Sequence, residues 1–211
     1  MFKQAIDDTA RKNLESLGKL SWQKQFYLAG GTAAALQLGH RRSFDLDFFS
    51  LEDFDHNKIR QDLAGLGKLS VEQTSPNTFL GSLNGLKISF FRYPYPLINP
   101  TKEFIGVKIA DLKDIAAMKL DAISTRGKKR DFIDLYFIAE ETAPLEDLFK
   151  VLEKKFANLN ISKFHLLKSL DYFTDADTDP MPEMIKRVEW DEVKKFFEIE
   201  VKRLAHQFGM V

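Results

Sequence analysis

Gly30-Gly31-Thr32-Ala33-Ala34-Ala35-Leu36-Gln37-Leu38-Gly39-His40-Arg41-Arg42-Ser43-Phe44-Asp45-Leu46-Asp47-Phe48-Phe49 is the stretch on which the reading of this chain turns. A paired glycine opens a short helix predicted from Thr32 to about Leu38, and Gly39 is a favourable residue to end it. The glycines let backbone N–H groups approach phosphate oxygens, and the positive end of the helix dipole faces the same way. The alternation Phe44-Asp45-Leu46-Asp47-Phe48 reads as a strand. Residues two apart on a strand share a face, which sets Asp45 and Asp47 side by side with Cα atoms roughly 6.5–7 Å apart. Two carboxylates so placed can share a Mg²⁺ ion, a hard cation that takes one or two carboxylates together with substrate phosphates. Thr32 adds a hydroxyl, and the guanidinium forks of Arg41 and Arg42 suit phosphate. A plainer alternative remains open at this point: a strand, a turn and a helix, with Thr32 as N-cap and two solvated aspartates.

Composition bounds the remaining options. The 211 residues suit one domain or two small ones and can bury a sizeable core. No apolar run approaches the roughly 18 residues of a membrane span, and Met1-Phe2-Lys3-Gln4-Ala5-Ile6-Asp7-Asp8 is charged too early for a signal-peptide core. With no cysteine there is no disulfide, thiolate metal site or thiol nucleophile, which is compatible with a cytoplasmic protein. Thirty-one basic and thirty-one acidic residues cancel, so any anionic partner must be met by local clusters such as Arg41-Arg42 and Lys128-Lys129-Arg130. The four histidines, His40, His56, His165 and His206, show no metal-ligand spacing and read as surface or local contacts.

Outward from the opening stretch, residues 4–17 have helical spacing and lead into a short apolar strand, Phe26 to Ala29. Asp55 caps a helix through Leu63. Strands are predicted at about 68–74, 78–83 and 86–92, with a hairpin turn at Asn84-Gly85, and a further strand at about 104–109. From Asp111 onward the pattern is helical, at about 111–124, 129–141, 145–156, 162–173 and 188–208. The fold class expected is therefore α+β: a small mixed sheet over residues 1–109, then a helical region over 110–211 that closes one side of a cleft.

A second block carries its own physical argument. On the helix from Asp111, Leu112, Ile115, Ala116, Lys119, Ala122 and Ile123 recur at i, i+3, i+4 spacing, which puts Lys119 within an apolar stripe. A buried ammonium needs a partner or a substrate anion. Asp131 and Asp134 lie i, i+3 on the next helix, among Phe132, Ile133, Leu135 and Tyr136. Two readings stand: an ion pair that locks the helices together, or Lys119 aimed at a phosphate with Asp131 or Asp134 holding it. Lys129 and Arg130 are either solvated charge or contacts to NTP or RNA phosphate.

Together, the glycine pair placed ahead of Asp45-Leu46-Asp47 and the segment Arg126-Gly127-Lys128-Lys129-Arg130-Asp131-Phe132-Ile133-Asp134-Leu135 resemble the AbiEii/AbiGii-type toxin family. That family lies within the nucleotidyltransferase superfamily related to DNA polymerase β. The resemblance implies a sheet-based nucleotidyltransferase core and Mg²⁺-dependent transfer of an NMP from an NTP to an acceptor hydroxyl. It also implies Lys119 and Asp131 among the catalytic residues, tRNA as a candidate acceptor, and a partner antitoxin. A non-catalytic nucleotide- or partner-binding module, or transfer to a small molecule, are the alternatives. One position departs from the superfamily: Ser89, on Leu86-Lys87-Ile88-Ser89-Phe90-Phe91, stands where a third carboxylate is expected. Asp131 or Asp134 is the candidate substitute.

Overall fold

The computed structural model describes residues 1–210. Its centre is a seven-stranded mixed sheet in the order β3-β4-β5-β2-β1-β7-β6, formed by β1 (Tyr27–Ala29), β2 (Asp45–Ser50), β3 (Leu69–Ser75), β4 (Thr78–Leu83), β5 (Leu86–Arg92), β6 (Lys102–Phe104) and β7 (Val107–Ile109). β2 runs parallel to β5 and β1 parallel to β7; the other pairings are antiparallel. The helices before and within the sheet region are α1 (Asp8–Leu17), α2 (Gly30–Leu38) and α3 (His56–Leu66). After it come α4 (Leu112–Arg126), α5 (Lys129–Glu141), α6 (Leu145–Lys155), α7 (Lys163–Leu170), the single turn α8 (Thr174–Asp177) and α9 (Trp190–Gln207). One hydrophobic core runs from Ile6 to Leu204 through both halves.

Alternation on two parallel strands positions the site. Leu46 and Phe48 of β2, and Ile88 and Phe90 of β5, are buried on one face. There Phe48 stacks on Phe90 at 5.1 Å, and Phe26 and Trp22 meet Phe90 edge-on at 5.1 and 5.6 Å. The half-buried Asp45, Asp47 and Ser89 and the exposed Lys87 are left for the opposite face, and the register sets Asp47 directly beside Ser89. α2 is buried from Thr32 to Leu36 because Ala33, Ala34 and Ala35 let it approach its neighbours closely, while its first turn borders the cleft.

The local signals read from the sequence explain most boundaries. Gly39 ends α2 at φ 65°, and Asp55 accepts from the amides of Asn57 and Lys58 at 2.9 and 3.1 Å. Asn84 and Gly85 both take positive φ, the requirement of a tight hairpin turn. Two expectations need correction. The single strand at 104–109 is a hairpin turning at Ile105-Gly106, both at positive φ; a β-branched residue there is a rare exception and gives no turn signal. The helix predicted at 162–173 stops at Leu170, and the separate turn Thr174–Asp177 follows.

A buried pair fastens the helical half to the sheet. Asp114 on α4 has no exposed surface and accepts from Lys155 of α6 at 3.0 Å, and from the amides of Ile98 and Asn99 at 3.0 and 2.9 Å. Lys155 also donates to the Pro96 carbonyl at 2.8 Å. Asp114→Ala leaves Lys155 and two amides without their partner, and is expected to lower stability by about 3–5 kcal/mol in urea denaturation.

Candidate active site

The cleft has a volume of about 420 Å³ and lies between the polar face of β2 and β5, the start of α2 and one side of α4. Gly30 takes φ 69°, and a Cβ there would lie 3.2 Å from Asp47 Oδ2. At Gly31 a Cβ would lie 2.3 Å from the Arg41 guanidinium. Both glycines are thus fixed by neighbouring charged groups as well as by the turn. The Ala29 N-cap offers no side chain to the first-turn amides of α2, which leaves those donors facing the cleft. Thr32 is turned inward and donates to Ser43 Oγ or to the Asp45 carbonyl, binding α2 to β2.

Asp45 is half-exposed, its Oδ2 lying 3.5 Å from Arg130 Nη1. Burial raises the Asp47 pKa above the ordinary carboxylate range, against a hydrogen bond from Ser89; Asp45 pushes it further up, and Lys119 and Arg130 draw it down. Asp47 has no ion-pair partner among the described residues. Two adjacent acids, one of them desolvated and uncompensated, form a donor set suited to a hard divalent cation.

The acids of α5 are in the opposite condition. Asp134 has no exposed surface and takes Arg41 Nε at 2.6 Å and Nη2 at 2.9 Å, Lys119 Nζ at 2.6 Å and His40 Nε2 at 2.8 Å. Asp131, equally buried, takes Lys119 at 2.7 Å and Arg126 at 3.0 and 3.2 Å. Burial alone would raise both acids. Arg41, Lys119 and the His40 hydrogen bond hold Asp134 well below the ordinary range, and Lys119 and Arg126 lower Asp131. Burial would likewise lower Arg41, but Asp134 keeps it above its usual value.

The structure divides the residues singled out in the sequence. Gly30, Gly31, Thr32, Arg41, Asp45, Asp47, Lys119 and Arg130 border the cleft. Asp131 and Asp134 lie behind it and both pair with Lys119, which locks the two helices together, while Lys119 itself borders the cleft. Neither acid takes the place of a third carboxylate beside Asp45 and Asp47. Arg41 spends its fork on Asp134 and is no free phosphate clamp. Arg42 points away from the cleft, 3.2 Å from Glu183. Lys129 is buried against the carbonyls of Asp177 and Asp179 and the ring of Trp190, and so is no phosphate contact. His40, read as a surface or local contact, is fully buried. The sequence reading missed the cleft residues Phe49, Lys87, Phe91, Tyr93, Asp121 and Arg126. The i, i+2 alternation from Asp47 and Ser89 would have found Phe49, Phe91 and Lys87.

A mixed sheet with paired acids beside a glycine-opened helix defines a nucleotidyltransferase fold, and solved structures share it. The MenT4 nucleotidyltransferase toxin of Mycobacterium tuberculosis superposes with a TM-score of 0.59 at 15% identity over 92% of this chain and 82% of that one. ANT(2″)-Ia, solved with adenylyl-2″-tobramycin, gives 0.51 at 12% identity over 71% of this chain and 98% of that one. The uncharacterized protein aq_aa25 of Aquifex aeolicus strain VF5 is 41% identical over 199 residues, covering 91% of this chain and 94% of that protein. The family model described as nucleotidyl transferase AbiEii toxin, type IV TA system, matches residues 87–207. The chain belongs to this AbiEii family of nucleotidyltransferase enzymes.

Two predictions follow from the opposed condition of the acids. Lys119→Ala leaves two buried carboxylates short of a cation and is expected to cost about 3–5 kcal/mol, read from chemical denaturation. The folded state holds the Asp47 proton more tightly than the unfolded chain does, so its charge costs stability as pH rises through the folded value. Asp47→Asn should therefore melt higher than wild type at neutral pH, with the gain vanishing below the ordinary carboxylate range. Asp131 and Asp134 act with the other sign: their stabilisation is complete above that range and is lost as pH falls through their lowered values.

Proposed function

We propose that the protein carries out Mg²⁺-dependent transfer of a nucleoside monophosphate from an NTP to an acceptor hydroxyl. The observation that carries this reading is the pair Asp45 and Asp47, weakly compensated beside a glycine-opened helix start, in front of two acids, Asp131 and Asp134, that are saturated by cations. Asp45 and Asp47 would hold the metal, which when bound supplies charge neutralisation to the phosphates. The first-turn amides of α2 receive phosphate oxygens. Lys119 has three N–H donors; two are engaged by Asp131 and Asp134, and the third is free for a phosphate. Arg130, half-exposed and loosely held by Asp45, can turn to the same charge. The acceptor hydroxyl gives up its proton to water as its oxygen bonds to the α-phosphorus, the bridge to the β-phosphate breaks, and pyrophosphate leaves.

Lys87, Arg126 and Arg130 line the cleft with exposed cationic side chains, which supports a polyanionic acceptor such as tRNA. Membership of a family described by a type IV toxin–antitoxin system supports an antitoxin as the genetic counterpart. Among the described residues no helix is long and apolar enough to cross a membrane.

The test is label transfer from each α-³²P NTP to total tRNA with Mg²⁺, comparing wild type with Asp45→Asn. Label on RNA is expected with wild type and at least about a hundredfold less with the variant, the usual scale for losing a transition-state charge contact. Label on RNA that survives Asp45→Asn would overturn the metal assignment. Label confined to a small hydroxyl acceptor would replace tRNA as substrate, and no transfer to either would overturn the reaction.

A further inference from the structure

The cleft face of β2 and β5 changes chemistry along its length. Asp45, Asp47, Lys87 and Ser89 form one end. Beyond them, on the same alternation, Phe49 and Phe91 stack at 5.3 Å, and Tyr93 meets Phe49 edge-on at 5.4 Å. All three rings are half-buried and border the cleft. Phe49 also stacks on Tyr27 at 6.0 Å and Tyr93 meets Tyr95 and Phe156 edge-on, which fixes the rings in place; the ring surface that still borders the cleft is one on which a planar base can stack. Across from the rings, α4 presents Met118, Asp121, Ala122 and Thr125.

Asp121 is the acid for which the proposed reaction has no use. Its carboxylate makes no hydrogen bond or ion pair among the described residues, whereas Asp45, Asp131 and Asp134 each face a cation. No three acidic or histidine side chains converge as a metal site among the described residues. Its charge is instead felt by Tyr93, at the aromatic end. It also borders a second hollow of about 240 Å³, lined by Ser124, Asn160, Ser162 and His165.

We propose that Phe49, Phe91 and Tyr93 form the stacking platform for a nucleobase, and that Asp121 selects bases by accepting from N–H donors on their edge. The proposal rests on the nucleotidyl-transfer reading. An ionised carboxylate only accepts hydrogen bonds, so it favours an edge with amino or ring N–H groups and repels one made of carbonyls. The base belongs either to the incoming NTP or to the nucleotide at the acceptor end, since Asp121 stands where the cleft meets the second hollow.

The test uses Asp121→Asn, an exposed position on α4, and Phe91→Leu. Binding of each of the four NTPs, with Ca²⁺ in place of Mg²⁺, is measured by calorimetry, with inorganic tripolyphosphate as the control ligand. If the base is that of the NTP, Asp121→Asn changes the ratio between the tightest and weakest Kd by about tenfold or more. Phe91→Leu weakens all four NTPs together, and tripolyphosphate binds equally in all proteins. If the base is that of the acceptor, the NTP ratios stay constant while Asp121→Asn changes which 3′-terminal nucleotide is labelled in a set of RNAs differing only there. Unchanged NTP ratios together with unchanged acceptor preference would overturn the proposal. In that outcome, loss of transfer in Asp45→Asn would leave the reaction standing, whereas transfer surviving in Asp45→Asn would mean that the metal assignment itself had failed.

Discussion

Asp134 is wholly out of water, and its two oxygens receive a guanidinium fork, an ammonium and an imidazole. The donors come from two places in the chain, His40 and Arg41 from the segment after α2 and Lys119 from α4, and the acid itself from a third, α5. Such a cluster is a poor source of net stability, because desolvating the charges costs about what their attraction returns. Its value is positional. Arg41 drawn onto Asp134 sets where the chain can leave α2 and enter β2, and it is the reason a side chain cannot stand at Gly31. Lys119, held between Asp131 and Asp134, is fixed at the border of the cleft without freedom to wander. A single buried carboxylate thereby ties the glycine turn, the strand of the paired aspartates and the cationic helix into one geometry.

The same site holds its acids in two states. Those behind the cleft are paired so fully that they stay charged at any ordinary pH, and their charge is spent on orientation. Asp45 and Asp47 in front are weakly compensated, with Arg130 at 3.5 Å from one and no ion-pair partner for the other. Cations committed to the rear acids cannot collapse onto the front pair. The front pair is left with negative potential to offer a divalent ion, and the helix start and Lys119 offer positive potential to phosphate. Segregating the ion pairs is what allows opposite charges to be displayed a short distance apart in one cleft.

Much of this was legible in the sequence, and the failures have physical reasons. Alternation at Asp45 and Asp47, the stop at Gly39, the cap at Asp55 and the hairpin at Asn84-Gly85 are local signals, and the structure keeps all four. A lysine in an apolar stripe correctly announced a buried ion pair. Side-chain destination is not local. Arg41 and Arg42 are adjacent and chemically alike, yet one is buried on Asp134 and the other reaches Glu183 at the surface. Lys129 and Arg130 divide in the same way, one against Trp190 and the other into the cleft. Nothing within such a dipeptide says which way each residue will face. The partners that decide it, Asp134, Glu183 and Asp179, are separated from it by about fifty to a hundred and forty residues. His40 was missed for the same reason.

Ser89 gains a role from the register of β2 and β5. It stands beside Asp47, where a third carboxylate would add a like charge next to an acid already raised by burial and by Asp45. A hydroxyl in that position donates, and a hydrogen bond to the charged form favours ionisation. Ser89 therefore works against the desolvation that raises Asp47, and favours its anionic form. Two carboxylates with substrate phosphates and water suffice to fill the octahedral shell of one Mg²⁺. The departure at Ser89 is thus compatible with the proposed chemistry: a third carboxylate is missing, but Asp45 and Asp47 would still hold a cation between them and the phosphates.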